Sequence, residues 1–175
     1  FTYWEKVDDI DLSVIGIGAN GSQIEFSWRT MYQNQSSAIL YSGDQTSGFD
    51  GGSEYFDVDV QEFQRLFPNI QYLIFCDNVY SRVDFDKCFC KAGFMTRDIC
   101  DSGEVYEPKT VQSSYVVDCQ STFAYLFGID LEKAEFVWLN TARNGNAAVA
   151  GATSLDFLAK YFDAVSTVNM YSFFE

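Results

Sequence analysis

An all-β sandwich of antiparallel strands is the fold class the sequence predicts, and three observations predict it. Short apolar runs recur at near-even spacing with turn signals between them. Aromatic residues are abundant, 17 Phe and 11 Tyr among 175 residues, and such side chains suit pleated, half-buried surfaces. Only two Pro occur, and no long run of Ser, Gly or charge marks a linker, so residues 1–175 read as one domain. The opening FTYWEKVDD, without an initiator Met, reads as a domain cut from a longer polypeptide or as a processed start.

The elements follow in chain order. SVIGIGANGSQIEF places Asn20-Gly21 between two apolar runs and predicts a hairpin. In QIEFSWRTMY, Ile24, Phe26 and Trp28 alternate with Gln23, Glu25, Ser27 and Arg29, which predicts a strand with one wet face. VQEFQRLFP carries Phe63, Leu66 and Phe67 at helical spacing and stops at Pro68, a short helix. IQYLIFCDNVYS is apolar on both faces, as expected of a central strand covered twice. FDKCFCKAGFM, SSYVVDC, FAYLFGIDL and AEFVWLNTA continue the strand pattern. ARNGNAAVAGA, Ala142 to Ala152, reads as a flexible connector. SLDFLAKYFDAV then has Leu155, Leu158, Ala159 and Phe162 on one stripe behind a Ser154 cap, an amphipathic helix covering the sandwich. Trp4, Trp28 and Trp138 are expected in or near the core, and the apolar MYSFFE at the C-terminus is expected to fold back on the sandwich or dock on a neighbouring domain.

Charge and residue types narrow the function. The formal net charge is −14, which argues against nucleic acid and anionic membrane surfaces and fits a cation or a basic protein partner. The chain has no His, so Ser-His and Cys-His mechanisms are excluded. The five Cys are odd in number and scattered, unlike a disulfide framework, and point to a reducing, cytoplasmic setting. Cys88 and Cys90 share a face, but structural zinc needs four ligands, so core packing is the expected role. No eighteen-residue apolar run predicts a membrane span.

Two acidic clusters carry the candidate chemistry. Asp9 and Asp11 are two apart, which puts both carboxylates on one side of an extended strand. The stretch from Tyr41 to Val60 holds four Gly and five acidic residues with no Lys or Arg; its members include Asp44, Asp50 and Glu54. A hard cation takes six to eight oxygens from carboxylates, carbonyls and water. The EF-hand spacing is absent, and a solvated acidic loop is the plainer alternative.

DIDLS at Asp9 to Ser13, YSGDQTSG at Tyr41 to Gly48, GGSEYFDVDV and LFPNIQYLIFCDNVYS, in that order, resemble the TerD tellurium-resistance family. FAYLFGIDLEKAEFVWLNTA and LAKYFDAV resemble its late strand pair and closing helix. The resemblance spans residues 7 to 165. It implies a TerD-like β-sandwich of two antiparallel sheets with one or two short covering helices, binding Ca²⁺ without catalysis in a bacterial stress-response system. Position by position it implies Asp9, Asp11, Asp44 and Glu54 as ligands. Gln45 and Ser47 stand where the family has Asn and Thr, and Gly52 and Ser53 where it has a pair of Asp, so one calcium site is expected rather than two, with Asp50 as a substitute ligand. A metal-free interaction domain with a solvated acidic face is the alternative.

Overall fold

The computed structural model describes residues 1–34, 36–96 and 110–143. The strands are β1 (Thr2–Glu5), β2 (Ile10–Gly18), β3 (Gln23–Phe26), β4 (Ile39–Tyr41), β5 (Gly52–Glu54), β6 (Phe56–Val58), β7 (Ile70–Val79), β8 (Phe89–Met95), β9 (Val111–Val116), β10 (Phe123–Asp130) and β11 (Glu135–Arg143). Two short helices, α1 (Met31–Asn34) and α2 (Val60–Leu66), and a 3-10 turn at Phe85–Lys87 lie between them. A four-stranded sheet in the order β5-β1-β8-β9 faces a five-stranded sheet in the order β11-β10-β7-β2-β3, and β4 pairs β6 alone. Every pairing is antiparallel. This is an all-β sandwich, as the strand pattern predicts. The expected helix from Ser154, the connector beyond Arg143 and the C-terminal MYSFFE lie outside the described residues; Ala142 and Arg143, expected in that connector, belong to β11.

β7 is the central strand of its sheet, between β2 and β10. Its alternate residues supply two apolar clusters, as its sequence predicts. Leu73, Phe75 and Val79 join Trp4, Leu12, Val14, Cys90, Ala92 and Leu126 between the sheets. Tyr72, Ile74 and Cys76 join Ile15, Ile17, Phe123, Tyr125 and Leu139 on the opposite face. A register shift between Tyr125 and Phe127 in β10 lets Leu126 and Phe127 both reach the inter-sheet core, where Phe127 stacks on Phe75 at 4.5 Å.

The β2–β3 hairpin turns at Asn20-Gly21 as expected. Gly21 sits at φ 76°, and Asn20 Oδ1 accepts from Ser22 N at 2.9 Å. The predicted long strand through Trp28 does not form. β3 stops at Phe26 because local side chains take the backbone groups a strand would use: Ser27 N donates to Thr30 Oγ1, and Thr30 Oγ1 and Asn34 Nδ2 both donate to Glu25 O. Trp28 therefore sits in a turn and is exposed, whereas Trp4 is fully buried. Asp59 caps α2 by accepting from Glu62 N at 3.0 Å. Phe63 is buried against Phe26 and Phe67, while Leu66, expected on the same stripe, faces solvent.

A buried carboxyl links the two sheets. Asp77 on β7 is fully buried, and its Oδ2 accepts from Thr2 Oγ1 of β1 at 2.7 Å and from Cys90 Sγ of β8 at 3.5 Å. No helix among the described residues is long and apolar enough to cross a membrane.

Phe63→Ala removes a fully enclosed ring. It is expected to lower the unfolding free energy by about 3–5 kcal/mol, read from urea midpoints at unchanged slope. A loss under about 1 kcal/mol would place that ring outside the packed core.

Candidate metal centre

The site begins where β3 ends. β3 pairs β2 only from Val14 to Ile17, so the start of β2 lacks a strand on that edge. Glu54, at the end of β5 and fully buried, takes over: its Oε2 accepts from Leu12 N at 2.9 Å. Its Oε1 accepts from Gln45 N at 3.1 Å, and Gln45 Oε1 accepts in turn from Ser53 N at 2.9 Å. Gly48 N donates to Asp8 O at 2.6 Å and Lys6 N to Phe49 O at 2.8 Å. These bonds lay the Gly-rich loop along the segment that leads into β2.

Two of the four Gly, Gly43 and Gly51, take positive φ of 101° and 135°, and the other two lie against Trp4. A Cβ added at Gly48 would meet Trp4 Nε1 at 2.5 Å, and one at Gly52 would meet Trp4 Cε2 at 2.4 Å. No side chain fits at either position while the indole is there. That is the physical reason that Gly stands at both positions.

Asp9, Asp11 and Asp44 come together. Each offers one carboxylate oxygen, and the three lie within 4.8 Å of one another, the one such grouping among the described residues. Asp9 and Asp11 are each 7% exposed, and Asp44 is on the surface. Asp11 Oδ2 accepts from Asn78 Nδ2 at 3.1 Å, but Asp9 Oδ1 is buried without a hydrogen-bond partner. Burial, then the neighbouring Asp11, Asp44 and Asp8, push the Asp9 carboxyl up to about 7. Burial raises Asp11 too, against the Asn78 hydrogen bond. Burial pushes Glu54 up to about 8, opposed by Tyr41 and by the two backbone N–H groups. The Tyr41 hydroxyl lies against the Glu54 carboxyl without a well-formed hydrogen bond, and its ionisation is suppressed by burial and that carboxyl.

A close trio of carboxylates with one buried oxygen unpartnered is electrostatically unsatisfied. A hard divalent cation suits it by charge and by donor type. The three oxygens are fewer than calcium takes, so carbonyls and water would supply the others.

The other expected site residues have different surroundings. Glu54 adjoins the trio, but both its oxygens accept backbone N–H groups. Asp50 is exposed at the tip of the turn closed by Gly51 N donating to Gly48 O at 2.9 Å, outside the trio. Asn78, Tyr41 and Trp4 shape the site without having been singled out for it. The β2–β7 register sets Asn78 opposite Asp11, and Trp4 meets its cross-strand partner Gly52 on β5 as well as Gly48 on the loop; neither contact leaves a local signature in the sequence. Cys90 and Cys76 are buried with their thiols raised well above the ordinary value, and burial pushes Cys88 up to about 11. These thiols stay protonated and act as packing groups.

Compared with known proteins, the chain matches no family model, no curated protein sequence and no solved structure.

Burial raises Asp9 and Asp77 to about 7 and Glu54 to about 8, above ordinary values of 3.8 and 4.5. An acid raised on folding contributes stability that is complete below its unfolded pKa and is lost as pH rises through its folded pKa. These three acids are therefore expected to withdraw stability from the metal-free protein between about pH 4 and about pH 8, opposed above about pH 5 by the Phe1 amine, which burial lowers to about 5. Asp77→Asn should flatten part of that slope, leaving the variant relatively more stable at the alkaline end. Denaturation midpoints measured in chelator across this range check it; an Asp77→Asn variant whose stability falls with pH as steeply as the parent's would contradict it.

Proposed function

We propose that this chain is a calcium-binding, non-catalytic β-sandwich module of the TerD tellurium-resistance type, serving as a binding or scaffold domain in a cytoplasmic bacterial stress-response system. The observation that carries the reading is that Asp9, Asp11 and Asp44 each bring a carboxylate oxygen within 4.8 Å of the others, at a residue, Asp9, whose Oδ1 is also buried without a hydrogen-bond partner. The order of DIDLS, YSGDQTSG and the central strand supports the family assignment. Asp9, Asp11 and Asp44 would be the carboxylate ligands of a single ion. Glu54 would hold the two ligand-bearing segments together through Leu12 N and Gln45 N. A bound ion would tie the loop to the start of β2 and present a fixed surface to a partner. The absence of His and the protonated thiols support a role without catalysis.

A second reading, a metal-free interaction domain with a solvated acidic face, is favoured by one observation. The Trp4 indole leaves no room at Gly52 for the acidic side chain that the family carries there.

Thermal unfolding after exhaustive chelation separates the two. Calcium at a hundred times its Kd is expected to add about 2.7 kcal/mol, several degrees in Tm, with magnesium much less effective. Asp44→Asn, at an exposed position, is expected to abolish the calcium effect while leaving the chelated Tm unchanged or higher. An unchanged Tm in calcium for the parent protein favours the metal-free reading.

A further inference from the structure

Three aromatic side chains stand at the tips of three tight turns around the acidic trio. Thr30 N donates to Ser27 O at 3.0 Å, Gly51 N to Gly48 O at 2.9 Å and Arg82 N to Val79 O at 3.0 Å. The second residue of each turn is Trp28, Phe49 and Tyr80 respectively, with 48%, 55% and 64% of its surface exposed. Gly, Pro, Asn, Asp and Ser are the residues that turn geometry favours. A large exposed ring in all three turns has no explanation in local conformation or in the core.

The strand registers put the three turns at one end of the molecule. β7 ends at Val79 opposite Ile10, so Tyr80 follows at the end where β2 begins. Tyr80 N donates to Asp9 O at 3.2 Å. β3 runs from the partner of Ile17 to the partner of Val14, so Trp28 leaves toward that same end. Phe49 is fixed there by Gly48 N on Asp8 O and by its own carbonyl on Lys6 N. Asp8, Asp44 and Asp50 are exposed in these segments, with Asp9 and Asp11 behind them; Lys6 and Arg82 are the exposed cations alongside, and Arg29 is held by Glu25 at 2.7 Å.

We propose that this end of the sandwich is a docking surface for an arginine-bearing segment of a partner protein. A guanidinium is the one side chain that both stacks on aromatic faces and forks onto carboxylates, and the surface offers both. The net charge of −14 favours a basic partner over an anionic one. The inference shares carboxylates with the proposed metal centre but does not need the ion. A bound cation neutralises those carboxylates, so calcium should weaken the partner's binding, and the partner should weaken calcium's by the same factor.

The probe is a short peptide alternating Arg and Ser, titrated by calorimetry into the full chain in chelator and about 150 mM salt. Saturable binding is expected, with the equally charged Lys-Ser peptide weaker. The combined Trp28→Ala, Phe49→Ala and Tyr80→Ala variant should bind at least about tenfold less tightly at unchanged Tm. Phe49→Ser alone should shift affinity the same way by a smaller factor, which keeps the test open if the combined variant fails to fold. Peptide binding that ignores these substitutions, or a Lys peptide that binds equally well, overturns the proposal. So does aromatic-dependent dimerisation, or aromatic-dependent, calcium-driven binding to phosphatidylserine vesicles, since each names a different occupant. If calcium leaves Tm unmoved while the peptide still needs the rings, the metal reading fails and this one stands; a calcium-stabilised protein that ignores the peptide gives the reverse.

Discussion

The carboxyl of Glu54 is the contact on which the arrangement of the site depends. It is fully buried, and its two oxygens accept from Leu12 N and Gln45 N. Those donors belong to the two segments that carry the other carboxylates, the start of β2 and the loop bearing Asp44. Without an acceptor there, Leu12 N would be an unpaired donor on a strand edge that β3 does not reach, and an orphaned buried amide costs about as much as a lost hydrogen bond. The same burial that makes Glu54 a good acceptor raises its affinity for a proton. Two N–H donors and an adjacent phenol are what keep a carboxyl tolerable in that position.

Trp4 provides the complementary steric constraint. Its indole closes the space over Gly48 and Gly52, so the loop must approach as bare backbone. A loop held this way by ring contact on one side and by backbone bonds to Lys6 and Asp8 on the other has little freedom to move Asp44 away from Asp9. Like charges are thereby brought together by forces unrelated to charge: aromatic packing and hydrogen bonding. The repulsion is a cost imposed by folding, and it is the kind of cost a cation relieves.

Much of the fold could be read from sequence because its signals are local. The hairpin at Asn20-Gly21, the period-two apolar runs and the doubly apolar β7 each depend on neighbours within a few residues. The strand through Trp28 failed for an equally local reason that alternation conceals: Thr30 and Asn34 side chains take Glu25 O, and Thr30 Oγ1 takes Ser27 N. At the site, the Asp9–Asp11 spacing and the acidic loop could be seen, because carboxylates without cations nearby are conspicuous. The separation of Glu54 and Asp50 from the trio could not, since it depends on which oxygens meet N–H groups across 42 residues of chain.

Asp77 and Asp9 show how one residue type comes to opposite uses. Both are buried acids with raised proton affinity. Asp77 lies between the sheets, and hydrogen bonds from Thr2 and Cys90 on the facing sheet satisfy one of its oxygens. Its Oδ1 is buried without a hydrogen-bond partner, as Asp9 Oδ1 is, but the donors on Oδ2 make the carboxyl a polar link between the sheets. Asp9 lies at the sheet's end, where its close neighbours are the carboxylates of Asp11, Asp44 and Asp8 and no donor reaches its inner oxygen. Protonation relieves that only partly, because a neutral carboxyl still has unmet acceptors beside two more acids. A buried acid whose neighbours are donors is stabilised by the fold; one whose neighbours are other acids keeps a charge repulsion that the fold itself does not relieve.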